Sequence, residues 1–248
     1  MHVDVHSHLF LDVFDEDRDE VIQSAVNKGV RRIVNNGLDY ETNKACIALA
    51  DDHDSCVAAA GLYPGRLSTV DDDEQQAIFE QFRDDDVVAI GEIGLDYGYA
   101  DDEAQRRRQR QVFKACVRIG KEERKPLIIH SRNAEADVID ILHDLQAYNP
   151  ILHAFTGRRH LWRRGARRGY YFSVPPVAMR ANQFRHLVED IPLHQLFTES
   201  DAPYLSQVKD KRCSPGEVAD TVSLIESVKG ADDAACVLGG NYDRVFTM

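Results

Sequence analysis

The stretch Val87-Val88-Ala89-Ile90-Gly91-Glu92-Ile93-Gly94-Leu95-Asp96-Tyr97 places an acid where an apolar run gives out. Its first four residues are apolar without alternation, the pattern of a strand buried on both faces of a parallel sheet. Glu92 follows between two glycines and loses much of its hydration there. A lone charge in that position is costly, whereas a carboxylate beside a cation is not. Two readings stand open: Glu92 caps the next helix or pairs with an arginine, or it joins a metal site completed from other strand ends.

Working outward from this stretch, short apolar runs alternate with longer amphipathic ones, the rhythm of repeated βα units. Strands are expected at 3–5, 30–34, 56–60, 87–90, 126–129, 151–152, 170–173 and 196–197. Helices are expected at 16–28, 42–51, 74–83, 103–123 and 134–145. Gly29 is a natural C-cap for the first of these. Ser214-Pro215-Gly216-Glu217 carries a capping serine, an N1 proline and an N3 glutamate ahead of Val218, Val222 and Ile225 on one helical face. On the helix at 103–123, Val112, Cys116 and Ile119 form the apolar face, and the run 106–110 reads as solvated surface. Eight strands with interleaved helices predict a TIM (β/α)8 barrel, one domain over residues 1–248, with an open doubly wound sheet as the alternative.

The composition narrows the class. A formal net charge of −12 argues against a broad electrostatic grip on nucleic acid, though not against a metal-centred grip on one phosphate. The runs at 71–73 and 84–86 are aspartates expected on the surface. No stretch approaches the roughly eighteen apolar residues of a membrane span, and the opening residues do not read as a signal peptide. The five cysteines show no Cys-x-x-Cys spacing and predict reduced thiols in a cytoplasmic protein.

In a barrel the functional residues stand at the C-terminal ends of strands. His6 and His8 follow strand one as Asp4-x-His6-x-His8, and alternation puts both imidazoles on one face. Glu92 follows strand four, His130 ends strand five, His153 ends strand six and Asp201 follows strand eight. Each histidine alone reads more readily as a hydrogen-bonded structural residue than as a ligand. Six candidate ligands at one end are harder to dismiss. Four nitrogens and two carboxylates exceed the needs of one tetrahedral ion and suit two ions with a carboxylate between them.

These pieces carry a family resemblance. Asp4-x-His6-x-His8, Gly91-Glu92-Ile93-Gly94-Leu95-Asp96, His130-Ser131-Arg132, His153-Ala154-Phe155-Thr156-Gly157 and Thr198-Glu199-Ser200-Asp201-Ala202-Pro203-Tyr204 together resemble the TatD family of metal-dependent deoxyribonucleases, within the wider amidohydrolase-like barrels. The resemblance implies a two-metal phosphodiesterase in which Glu92 bridges the ions. It implies that His6, His8 and Asp201 hold one ion, and His130 and His153 the other. Two departures bear on the substrate side. Tyr63 stands where the family usually has the histidine of Gly-x-His-Pro, and Arg212-Cys213-Ser214-Pro215 replaces the family's Arg-Asn-x-Pro.

The expected activity is hydrolysis of nucleic-acid phosphodiester bonds, with single-stranded DNA the leading substrate and cleavage from an end. The ions expected are Mg²⁺, Mn²⁺ or Zn²⁺, and Asp201 is the candidate to orient or deprotonate the attacking water. A second reading is a hydrolase of amides, lactones or esters, including an ester linkage to RNA. Barrels of that type often bridge their ions with a modified lysine, and no lysine stands at a strand end here. A third is a binding protein that kept a structural metal. For substrate binding the expected residues are Tyr63, which replaces a site-lining histidine, and Arg132, then Arg158 and Arg159. The later arginines at 163, 164, 167 and 168 are expected to pair with surface aspartates.

Overall fold

The structure is a computed structural model and describes residues 1–247. Eight parallel strands run in sequence order: β1 (His2–Ser7), β2 (Val30–Asn36), β3 (Cys56–Ala60), β4 (Val87–Asp96), β5 (Leu127–Arg132), β6 (Pro150–Leu152), β7 (Tyr171–Val174) and β8 (Leu196–Thr198). Between them lie α1 (Arg18–Asn27), α2 (Tyr40–Asp52), α3 (Asp72–Gln81), α4 (Glu103–Glu122), α5 (Glu135–Asp144), α6 (Arg159–Ala166) and α7 (Asn182–Asp190). After β8 come α8 (Val218–Lys229) and α9 (Ala234–Phe246). This is the expected TIM barrel, not an open sheet. Among the described residues no helix is long and apolar enough to cross a membrane.

The seam between β8 and β1 is stitched by a few bonds instead of a full ladder. Thr198 Oγ1 donates to the Val3 carbonyl at 2.5 Å, and Asp201 N donates to the His6 carbonyl at 2.8 Å. Ser200 closes it further, donating from its backbone N at 2.8 Å and from Oγ at 2.6 Å to the buried carboxyl of Asp4. Burial pushes that carboxyl up to about 8 against the opposing pull of the Ser200 hydrogen bonds.

One apolar cluster joins Val3, Val5, Val34, Ala59, Ala89, Ile128, Ile151 and Phe197. Residues from strands on opposite sides can meet only through the lumen, so this is the barrel interior. Tyr242 and Val245 of α9 belong to the same cluster and close the end where the strands begin. A larger cluster lies between strands and helices, pairing Ile90, Leu127 and Leu152 with Phe82, Phe113, Val138 and Ile225. Each such side chain, fully buried, contributes roughly 1.5–3 kcal/mol. The other end of the barrel stays open for chemistry.

Two expectations about helix and strand boundaries need correction. β4 does not stop at Ile90 but continues to Asp96, so Glu92 lies inside a strand and not after it. Its pairing with β5 shifts register between Ile90 and Ile93, and Glu92 N instead donates across to the Gly37 carbonyl at 2.9 Å. The run 106–110 is not uniformly solvated either. Gln109 is buried, and its side-chain amide exchanges hydrogen bonds of 2.9 and 2.8 Å with the backbone N and O of Asp96. This pairing fixes the end of β4 against α4.

Candidate metal centre

The six expected ligands meet at the open end of the barrel, all but His130 buried. β1 delivers His6 and His8, whose Nε2 atoms approach to 3.1 Å. Glu92 enters from the bulged part of β4. Its Oε2 lies 3.6 Å from both of those nitrogens, while its Oε1 lies 2.8 Å from His130 Nδ1 and 4.0 Å from His153 Nε2. Asp201 completes the first side, with Oδ1 3.5 Å from His6 Nε2 and from His8 Nε2. Three overlapping trios (His6–His8–Glu92, Glu92–His130–His153 and His6–His153–Asp201) each keep one donor atom per residue within 4.8 Å of the others.

This donor set fits divalent cations. Two imidazole nitrogens 3.1 Å apart cannot both carry a proton toward each other, so at least one presents a lone pair to the space they share. Imidazole and carboxylate are the ligand types of zinc-like and manganese-like sites. The surrounding charges show how strongly the buried acids draw positive charge into this space. Burial pushes the Glu92 carboxyl up, but the hydrogen bond from His130 and the nearby His6 ring outweigh it and hold the acid well below the usual carboxylate range. Asp201 is likewise held low against burial by the charge of His153 and the His8 ring 3.5 Å away. Burial works against a charged His153, yet Glu199 and Asp201 carry it to about 10.

Backbone space around Glu92 is tight. A Cβ on Gly61 would sit 2.2 Å from Glu92 N and 2.3 Å from the Gly37 carbonyl. Gly94 has φ +144, and a Cβ there would lie 2.0 Å from the His130 carbonyl. Only glycine meets both demands at Gly94.

Two acids position the ligands without joining them. Asp96 is fully buried and takes His130 Nε2 at 2.9 Å and the Tyr63 hydroxyl at 3.1 Å on Oδ2. Its Oδ1 accepts from Arg132 Nε and from Gly98 N, both at 2.9 Å. Glu199 does the same for His153, with Oε2 2.8 Å from Nδ1 and 2.6 Å from Ser173 Oγ, while Oε1 accepts from Ala154 N at 2.8 Å. His8 Nδ1 lies 2.9 Å from the Asn36 carbonyl. Such partners fix ring orientation and tautomer. Sequence analysis left both acids without a role. The signal was spacing: Asp96 stands four residues past Glu92 and Glu199 two before Asp201, even intervals that share a face in extended chain.

The expected substrate-side residues divide. Tyr63 does line the centre, with its ring edge-on to His130 at 5.1 Å between centroids. Arg132 is half exposed at the rim, tied by Nε to Asp96, with its guanidinium 5.0 Å from the Tyr99 ring. Arg158 is exposed and lines a cavity of about 340 Å³ with Tyr97, Asn133, Thr156 and His160. Arg159 is a correction: it is committed to Asp190, through Nε at 2.7 Å and a terminal nitrogen at 2.6 Å. Arg163 grips the same carboxylate and Arg164 pairs with Asp140, as surface pairing predicts. Arg212 turns away from the centre to bond Asp17, and Cys213 is buried beneath Ser200.

Comparison with known proteins agrees with this geometry. Deoxyribonuclease TATDN3 of Homo sapiens is 32% identical over 240 residues, covering 92% of this chain and 87% of its own. The 3'-5' ssDNA/RNA exonuclease TatD of Citrobacter koseri is 30% identical over 240 residues, covering 92% of each. Among solved structures, YjjV, a TatD homologue from Escherichia coli K12, superposes with a TM-score of 0.90 at 27% identity, covering 100% of this chain and 98% of that one. The family model described as TatD related DNase matches residues 3–247, and the chain belongs to that family.

Proposed function

We propose that this chain, as one hydrolase domain over 1–248, cleaves phosphodiester bonds of single-stranded nucleic acid with two divalent ions that share Glu92. The observation that carries it is the split of one carboxylate, Oε2 toward His6 and His8, Oε1 toward His130 and His153. His6, His8 and Asp201 would hold one ion and His130 and His153 the other. Four imidazoles favour Zn²⁺ or Mn²⁺ over Mg²⁺. When bound, such ions activate water and neutralise charge developing on the phosphoryl and leaving oxygens. Asp201, kept ionised, accepts the proton of the attacking water. Asp96 and Glu199 hold His130 and His153 in the tautomers that leave a lone pair toward Glu92. Arg132, half exposed beside them, takes a phosphate oxygen of the strand, with Arg158 further along the rim. The five cysteines are free thiols, four of them buried, which supports a cytoplasmic setting.

The amide or ester hydrolase reading has less support. The lysine nearest a relevant strand, Lys125, donates from Nζ to the Phe82 carbonyl at 3.0 Å at the start of β5, remote from the centre. The deciding experiment strips the protein, reloads it with Mg²⁺, Mn²⁺ or Zn²⁺, and assays end-labelled single strands beside an ester panel. Metal-dependent shortening of the strand is expected. Ester turnover without strand cleavage, or cleavage unaffected by a chelator, would overturn the proposal.

A further inference from the structure

The chain has one Trp, nine Tyr and ten Phe. Among the described residues only two of these rings are exposed, Tyr99 and Tyr204, each 56% accessible. Both stand at the mouth of the metal centre. Tyr99 ends the turn after β4, and Tyr204 follows β8. In an eight-stranded barrel ordered β1 to β8 these strands lie opposite one another, and the two loops bring their rings to the same mouth, near enough for Tyr99 to act on the Tyr204 hydroxyl.

Each ring is anchored to the donors. The Tyr99 ring meets Tyr63 edge-on at 6.2 Å, and Tyr63 in turn meets His130 at 5.1 Å. Tyr204 lies 6.3 Å from the His8 ring, and its backbone N donates to the Asp201 carbonyl at 2.6 Å. Single exposed apolar side chains need no explanation. Two aromatic rings placed only here, in a chain that buries or half-buries the other eighteen, do.

The charge balance says what they bind. With a net charge of −12 and only Arg132 and Arg158 placed along this rim, phosphates beyond the one held at the centre add little affinity. Stacking on an aromatic face supplies affinity without cations and accepts every base. We propose that Tyr99 and Tyr204 are stacking posts for nucleobases on either side of the phosphate that enters the centre, so that the site selects an unstacked base as well as a phosphodiester. This rests on the nucleic-acid reading above. Bases in a duplex already use their faces on one another, so the arrangement favours single strands.

The test uses Mn²⁺-loaded protein and a phosphorothioate single strand, which resists hydrolysis, carrying 2-aminopurine next to its central linkage. Stacking quenches 2-aminopurine fluorescence, and the wild type should quench it on binding. Tyr99→Ala and Tyr204→Ala should each weaken binding about 5- to 150-fold and lessen the quench. Tyr99→Phe and Tyr204→Phe should keep both, because the ring face and not the hydroxyl is at work. With an abasic site in place of the 2-aminopurine, the loss from removing the base and the loss from removing the ring should not add. Alanine variants that bind like the wild type, phenylalanine variants as weak as alanine ones, or fully additive losses would each overturn the proposal. Cleavage of the unmodified strand is read separately. Ring-dependent quenching without cleavage removes the hydrolytic reading and leaves the stacking posts. Cleavage without ring dependence does the reverse.

Discussion

Asp96→Asn removes one charge and one acceptor from a carboxylate that takes four hydrogen bonds, and the geometry dictates where the damage goes. If the new amide nitrogen replaces Oδ1, it faces the N–H donors of Gly98 and Arg132, neither of which can accept. If it replaces Oδ2, it faces the Tyr63 hydroxyl, which can rotate to accept, and His130 Nε2, which can accept after moving its proton to Nδ1. The second placement is cheaper, and it stabilises the tautomer with the proton on Nδ1, toward Glu92, the proton that an ion bound there would have to displace. His130 is then in the wrong tautomer for a metal ligand. Losing an orienting partner of this kind weakens metal binding or activity about 10- to 100-fold, or roughly 1.4–2.8 kcal/mol. Titration calorimetry with Zn²⁺ or Mn²⁺ on stripped protein should show one of two equivalents weakened and the other little changed. Long-range nitrogen–proton NMR should show His130 protonated on Nδ1. Two equivalents bound as tightly as in the wild type would refute the positioning role.

Glu92→Gln should remove most activity and leave the melting temperature near that of the wild type; full activity in this variant would sink the shared-carboxylate arrangement. Arg132→Ala should flatten the salt dependence of single-strand binding by about 0.7 in logarithmic slope, one phosphate's worth, and an unchanged slope would remove Arg132 from the strand's path. Asp190→Asn should lower stability at neutral pH by about 1–2 kcal/mol, discounted because both arginine partners are half exposed. The hydrogen bonds of Arg159 and Arg163 hold the Asp190 carboxyl well below its ordinary value, so this stability is present above about pH 4 and fades as pH falls toward the folded value. Denaturant melts at pH 7 and pH 3 should show the gap between wild type and variant shrinking; a gap that grows with acid would contradict it.

All eight strands were legible, most of them because buried parallel strands announce themselves as apolar runs, even Leu196–Thr198 with three residues. The clustering of the six candidate ligands was legible because the barrel gathers strand ends, so position in the chain already implied proximity. What escaped depends on contacts across the fold. Nothing local to Asn182–Asp190 or Ala234–Phe246 sets them apart: the first is mostly polar, and the second is interrupted by Gly239-Gly240. Both are held by tertiary packing of Leu187, Val188 and Leu238, with Asp190 fixed by arginines about thirty positions away. Arg159 read as a phosphate ligand because its residue type fits one, and only the fold reveals the prior claim of Asp190. The extension of β4 to Asp96 went unread because two glycines in succession of three usually end a strand.

The tight backbone at Gly61 and Gly94 bears on how this protein tolerates random change. Neither glycine offers a functional group, yet a single added methyl at either would press into the backbone of Glu92 or His130, at 2.2 and 2.0 Å, where something must shift. In a mutational library, alanine at these two positions should therefore segregate with loss of ligands and not with ordinary surface substitutions. An inactive lineage can arise here with every ligand codon intact, and a search for decayed copies by their histidines and acids alone would pass it as sound.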